Sequence, residues 1–202
     1  MKNYLSLITI FLSLAITAQK DLKIDYKLRG HIYASSSTKD TVASGYGKSD
    51  NLPKNLISGK FQKMGFFIEV DTLEKAVINE KYNGYKLYIV NKSDSIVKLL
   101  ASDSRLSVVA QAFIDDEWQD IEYLPSSWCG NSYHYVTIKP NSYWEFNVPK
   151  FTGKLKTKLR YKLTVNKKLS IYTSEVVARI NRKQLSEKQG HKPTEIMDPY
   201  ID

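Results

Sequence analysis

The feature that most constrains this chain is a succession of short segments, running from Phe66 to Ile180, in which apolar and polar residues alternate. A two-residue period sends successive side chains to opposite faces of an extended backbone, so each segment reads as a strand with one buried face. The segments are Phe66 to Val70, Tyr85 to Asn91, Ile96 to Ala101, Arg105 to Ile114, Glu117 to Leu124, Tyr133 to Lys139, Ser142 to Val148, Leu155 to Val165, Leu169 to Tyr172 and Glu175 to Ile180. They are rich in Val, Ile, Tyr, Phe and Thr, and turn residues separate nearly all of them. Such close spacing predicts an all-β chain, an antiparallel sandwich or barrel. Lys139-Pro140-Asn141-Ser142 puts a proline where a tight turn uses its fixed backbone angle, and Asp115-Asp116 reads as another hairpin turn.

Before these segments, Leu22, Ile24, Tyr26 and Leu28 alternate with Lys23, Asp25, Lys27 and Arg29, which predicts a further half-buried strand from Asp21 to Ala34. Ser35 to Gly59 breaks the pattern with Ser, Gly and Pro and predicts a long loop, with a short strand near Thr41 to Ser44. A loop of that length is uncommon in a compact domain and points to a flap or to an element that the pattern does not reveal. The expected organisation is residues 19–62 as N-terminal strand and loop, 63–183 as a β-sandwich, and 184–202 as a polar tail with a short helix around Gln184 to Lys188. Residues 1–18 carry Lys2, an apolar run from Leu5 to Leu14, and small residues ending at Ala18, the order of a secretory signal peptide. That run is about ten residues, against the roughly 20 of a membrane-spanning helix, and no later stretch is apolar enough to span. The expectation is export, to the periplasm or the cell exterior, with no membrane span. Cys129 is the single cysteine of 202 residues, so an intrachain disulfide is impossible and stability must come from an ordinary core, for which 42% apolar residues suffice.

The strand ending in Asn91-Lys92-Ser93, the Pro-turn hairpin after it and the late apolar-alternating strand resemble the immunoglobulin-like modules common in exported bacterial proteins, in the style of the Bacteroidetes. They are faintly similar to the BsuPI family of proteinase inhibitors. Over roughly residues 66–180 the resemblance implies an antiparallel immunoglobulin-like sandwich of about seven to nine strands. It carries no site residues over, and the Cys…Trp…Cys pattern of antibody-type domains is absent.

Charge is segregated along the chain. Residues 149–183 hold eleven Lys and Arg against the single acid Glu175, while the whole chain is +9. In the strand from Leu155, Lys154, Lys156, Lys158, Arg160 and Lys162 share one face, and Leu155, Thr157, Leu159, Tyr161 and Leu163 the other. The row is about 26 Å long. It predicts a face that recognises a polyanion: an acidic or phosphorylated glycan, lipopolysaccharide, or an acidic protein. Nucleic acid is disfavoured, since no binding motif is present. The same row is also explained by lysines that keep a solvent-facing or edge strand from pairing with other chains, or by ion pairs with Asp115, Asp116, Glu117, Asp120 and Glu122.

Aromatic residues cluster between Trp118 and Phe146. Alternation sends Trp144 and Phe146 to the core with Val148, and a packed core accounts for most of the cluster; Trp128, Tyr133, Tyr135 and Tyr143 are the candidates for exposed stacking surfaces. The loop from Pro125 to His134 brings Cys129 and His134 together, the pair a thiol hydrolase needs, without any signature around it, and reads as a structural thiol beside a glycine turn. His31, His134 and His191 lie in unrelated segments, so neither a metal nor another cofactor is expected. With no catalytic signature, the sequence points to a non-enzymatic binding or envelope-accessory protein. The alternative is a proteinase inhibitor or other regulator of a protein partner, acting through Ser35 to Gly59 or Pro125 to Asn131.

Overall fold

The computed structural model describes residues 19–36, 46–125 and 132–186, whose regular structure is β-strand apart from one 3₁₀ turn. In chain order the strands are β1 (Leu28–Arg29), β2 (Lys54–Asn55), β3 (Gly65–Ile78), β4 (Tyr82–Lys92), β5 (Val97–Ser102), β6 (Arg105–Leu106) and β7 (Val108–Ile114), followed by β8 (Glu117–Asp120), β9 (Glu122–Tyr123), β10 (Tyr133–Ile138), β11 (Ser142–Pro149), β12 (Leu155–Asn166), β13 (Leu169–Tyr172) and β14 (Val176–Ile180). They form antiparallel sheets with the strand orders β2-β11-β4-β3, β10-β5-β6 and β13-β12-β7-β8, with β14 also on β12, plus a short parallel pair of β1 and β9. No helix among the described residues is long and apolar enough to cross a membrane.

The alternation read from the sequence becomes cross-strand ladders. In the β4 sheet, Ile68, Ile89 and Trp144 are in register, as are Val70, Leu87 and Phe146. In the β12 sheet, Leu159, Tyr161 and Leu163 stand opposite Ala112, Ala110 and Val108, large residues against small ones. Leu99 and Val136 pair in the β5 sheet. All of these side chains enter one core. Each buried aliphatic or aromatic side chain contributes about 1.5–3 kcal/mol, which is how the chain holds together without a disulfide.

The outward face of the β4 sheet is covered as well. Phe67, Tyr88, Val90 and Tyr143 lie beneath Phe61 and Leu56, so the segment around β2 straps across the sheet. The Lys60 ammonium is 4.4 Å from the centre of the Tyr88 ring and 3.0 Å from its hydroxyl, which donates to Glu74 at 2.6 Å.

Several sequence expectations are revised by the structure. Asp21 to Ala34 is not one strand. It touches Phe151, β9 and Arg105 through single bridges or a two-residue pairing, and Lys20 just before it bridges Tyr82, because it runs past the ends of several sheets and not along one. Its alternation is nonetheless used, since Ile24, Ile32 and Ala34 are buried in the common core. The Pro140-Asn141 turn, with Asn141 at φ 54°, joins β10 to β11, which belong to different sheets, so it is a crossover and not a hairpin. The turn at Asp115-Asp116 does close a hairpin, with Ile114 opposite Glu117. β3 continues well past Val70, to Ile78, after a bulge between Asp71 and Lys75. The short helix near the end of the described chain is a 3₁₀ turn over Arg182–Leu185. The predicted strand near Thr41 to Ser44, the signal segment, and residues 187–202 of the tail lie outside the described residues.

Candidate anion-binding face

β12 lies inside its sheet, paired with β7 on one side and with β14 and then β13 on the other. The basic row is therefore not the guard of an open edge. Leu159, Tyr161 and Leu163 are buried and Lys154, Lys156 and Lys158 are exposed, with Arg160 and Lys162 half-buried, as the two-residue period requires. Register adds neighbours from other strands to the same face: Arg179 opposite Lys156, Val177 opposite Lys158, and Gln111 opposite Arg160.

The cations differ in their surroundings. Lys158 is 2.8 Å from Glu175, and Lys162 is 3.7 Å from Asp120. Arg160 has no carboxylate partner among the described residues. Its guanidinium carbon sits 4.1 Å from the centre of the Trp118 ring and 4.0 Å from that of Tyr172, and its Nε donates to Gln111 Oε1 at 2.9 Å. Gln111 in turn donates to Asp120 at 2.7 Å. The planar fork is thus held between two aromatic side chains and oriented from one edge, while its terminal amino groups make no hydrogen bond to a described residue. Lys154 and Lys156 form no ion pair among the described residues. Arg179 uses its guanidinium on the carbonyls of Gly153 and Lys154, at 2.8 and 3.2 Å, and so keeps its charge on the face.

Of the predicted acid partners, Asp120 reaches the row and Asp115 meets Arg182 at 3.8 Å. Glu122 turns inward and is fully buried: its Oε2 accepts from the Ala110 N–H at 3.0 Å and its Oε1 lies 3.9 Å from His31 Nδ1. Burial pushes the Glu122 carboxyl up, against the opposing pull of His31 and the Ala110 amide.

The aromatic candidates separate. Tyr133 and Tyr135 on β10 are 44% and 61% exposed, whereas Tyr143 is 3% exposed and packs edge-on against Phe61 and Tyr88. Tyr143 therefore offers no ring face to a ligand. Trp128 and Cys129 lie outside the described residues. His134 stacks on Tyr46 with ring centres 3.5 Å apart, and its Nδ1 faces the Ser132 carbonyl at 3.1 Å.

Trp118, Tyr172, Gln111 and Arg179 were missed from the sequence. Arg179 was within reach, because Glu175, Val177 and Arg179 alternate with Val176, Ala178 and Ile180. The Trp118 and Tyr172 positions depend on which strands flank β12, and no local pattern encodes that. No protein-family model matches this chain, and searches of the curated proteins and of the solved structures return no match.

Proposed function

We propose that this is an exported, non-catalytic binding protein, an immunoglobulin-like sandwich acting in the periplasm or outside the cell, which recognises a polyanion through the outer face of the β12 sheet. The observation that carries the reading is Arg160. A guanidinium clamped between Trp118 and Tyr172 and tied at Nε to Gln111 has lost most of its rotamer freedom and part of its hydration. Both losses favour binding of a carboxylate, sulfate or phosphate, since less entropy and less solvation remain to be given up on association. Lys154, Lys156 and Arg179 then supply a cationic field that raises the local concentration of an anionic polymer.

The test is binding of residues 19–202 to heparin, anionic envelope polysaccharides and lipopolysaccharide across a salt series, beside Arg160→Ala and the double variant Lys154→Glu, Lys156→Glu. Affinity should fall steeply with salt. Arg160→Ala should weaken binding by about tenfold or more, as loss of a charged hydrogen-bonding partner of about 1.5–3 kcal/mol requires. Binding that ignores salt and both variants would refute the reading.

A further inference from the structure

At the start of β12 the flat row opens into a recess of about 560 Å³, where the N-terminal segment, β12 and the 3₁₀ turn meet. Lys23, Lys154, Arg182 and Lys183 line it, with Asp25 as the one carboxylate among its lining residues and Asp115 at 3.8 Å from Arg182. Its walls are joined through buried Asn181. The Asn181 side-chain amide donates to the Ile24 carbonyl at 2.9 Å, its Oδ1 accepts from the Lys154 N–H at 3.2 Å, and its own N–H donates to Gln184 Oε1 at 2.9 Å. The cations are therefore set around walls that Asn181 ties to one another. Lys154 belongs to both the recess and the row. From it the cations continue through Lys156 with Arg179 opposite, then Lys158, to the clamped Arg160, about 20 Å away at roughly 3.3 Å per residue.

We infer that the recess and the Arg160 clamp are two ends of one site, and that its ligand is a linear anionic glycan long enough to span both. This rests on the polyanion reading above and adds the ligand class and its minimum length. Two weak anion sites joined by one chain act together: once one end is held, the other binds from a high effective concentration, so affinity rises sharply when the chain first reaches both. A glycan fits better than an acidic protein because the face lacks the buried apolar centre that protein interfaces use. Its exposed aliphatic surface is Val177, and Trp118 and Tyr172 are already engaged with Arg160.

The experiment measures affinities of residues 19–202 for a ladder of heparin-derived oligosaccharides with contour lengths from well below to well above about 20 Å, with poly-glutamate of matched length as the protein-like arm. The variants are Arg160→Ala and the exposed double change Lys23→Glu, Arg182→Glu, each first shown to unfold at the wild-type temperature. A step of at least tenfold as the ladder passes the span is expected, on top of any gradual rise. The recess variant should lose the step, its long chains binding no more than about twofold tighter than its short ones. A smooth rise without a step, a step that survives in the recess variant, or poly-glutamate binding as tightly as the long glycan would each overturn the inference. Short chains that bind and are lost with Arg160→Ala, in the absence of a step, would leave the polyanion reading standing and remove this one. No salt-sensitive binding at any length would remove both.

Discussion

At the scale of single residues, Glu122 is a fully buried carboxyl whose ionisation bears on stability. Burial raises its folded-state value above the ordinary 4.5, so the folded chain holds the proton more tightly than the unfolded chain. The stability this contributes is fully present below the unfolded value and is lost as pH rises through the folded one. Glu122→Gln carries a neutral side chain of the same shape and escapes that loss. Urea midpoints at about pH 5 and about pH 8 should show wild type falling relative to the variant at the higher pH; a constant gap would mean that folding does not raise the Glu122 carboxyl. The tyrosines make a second residue-level contrast. Tyr143→Ala removes a ring packed against Phe61 and Tyr88 and should cost about 3–5 kcal/mol, the range for buried aromatics, whereas exposed Tyr135→Ala should stay within about 0.5 kcal/mol. Equal effects in urea unfolding would contradict the burial seen here. Sequence alternation placed Trp144 in the core correctly. It could not say that the opposite face of the same strand is also covered, because the cover comes from Phe61 in a distant strap.

At the scale of elements, the turns are built with little glycine. Asp103-Ser104 and Asp115-Asp116 close two-residue hairpins with both residues at positive φ, and Asp116 sits at 64°. A side chain there strains the backbone by roughly 1 kcal/mol relative to glycine, and two adjacent carboxylates repel. Asp116→Gly should therefore raise stability by up to about 1 kcal/mol, read as a higher thermal midpoint with the Asp115 and Arg182 pair left in place. A lower midpoint would show that the Asp116 side chain contributes more than its strain removes. The basic strand was legible as an element, with its length, its two faces and its charge all evident from Leu155 onward. That it runs through the middle of a sheet was not, since either an edge or a central strand can carry that alternation.

At the scale of the whole molecule, the N-terminal segment and the end of the described chain lock onto one core. Asn181 is the junction, bonded to Ile24, Lys154 and Gln184. Asn181→Ala takes the side-chain partner from the buried Ile24 carbonyl and from the part-buried Lys154 N–H and should cost about 1–3 kcal/mol. The same change should weaken binding of the longest oligosaccharides more than of the shortest, because it loosens the recess and leaves Arg160 untouched. Thermal unfolding checks the first effect and the length ladder the second. A variant as stable as wild type would show that the junction is redundant.

The sequence alone determined the strand content, most strand positions, the inward faces and the segregation of positive charge, because each follows from a two-residue period or from composition within a short stretch. Tertiary structure decided which strands are neighbours, and with that every feature of the candidate site. Trp118 and Tyr172 come to Arg160 from strands on opposite sides of β12, and Lys23 comes to Lys154 across most of the chain. The physical reason is that register along a strand is written in local alternation, whereas pairing between strands is set by how all the buried faces fill one common core.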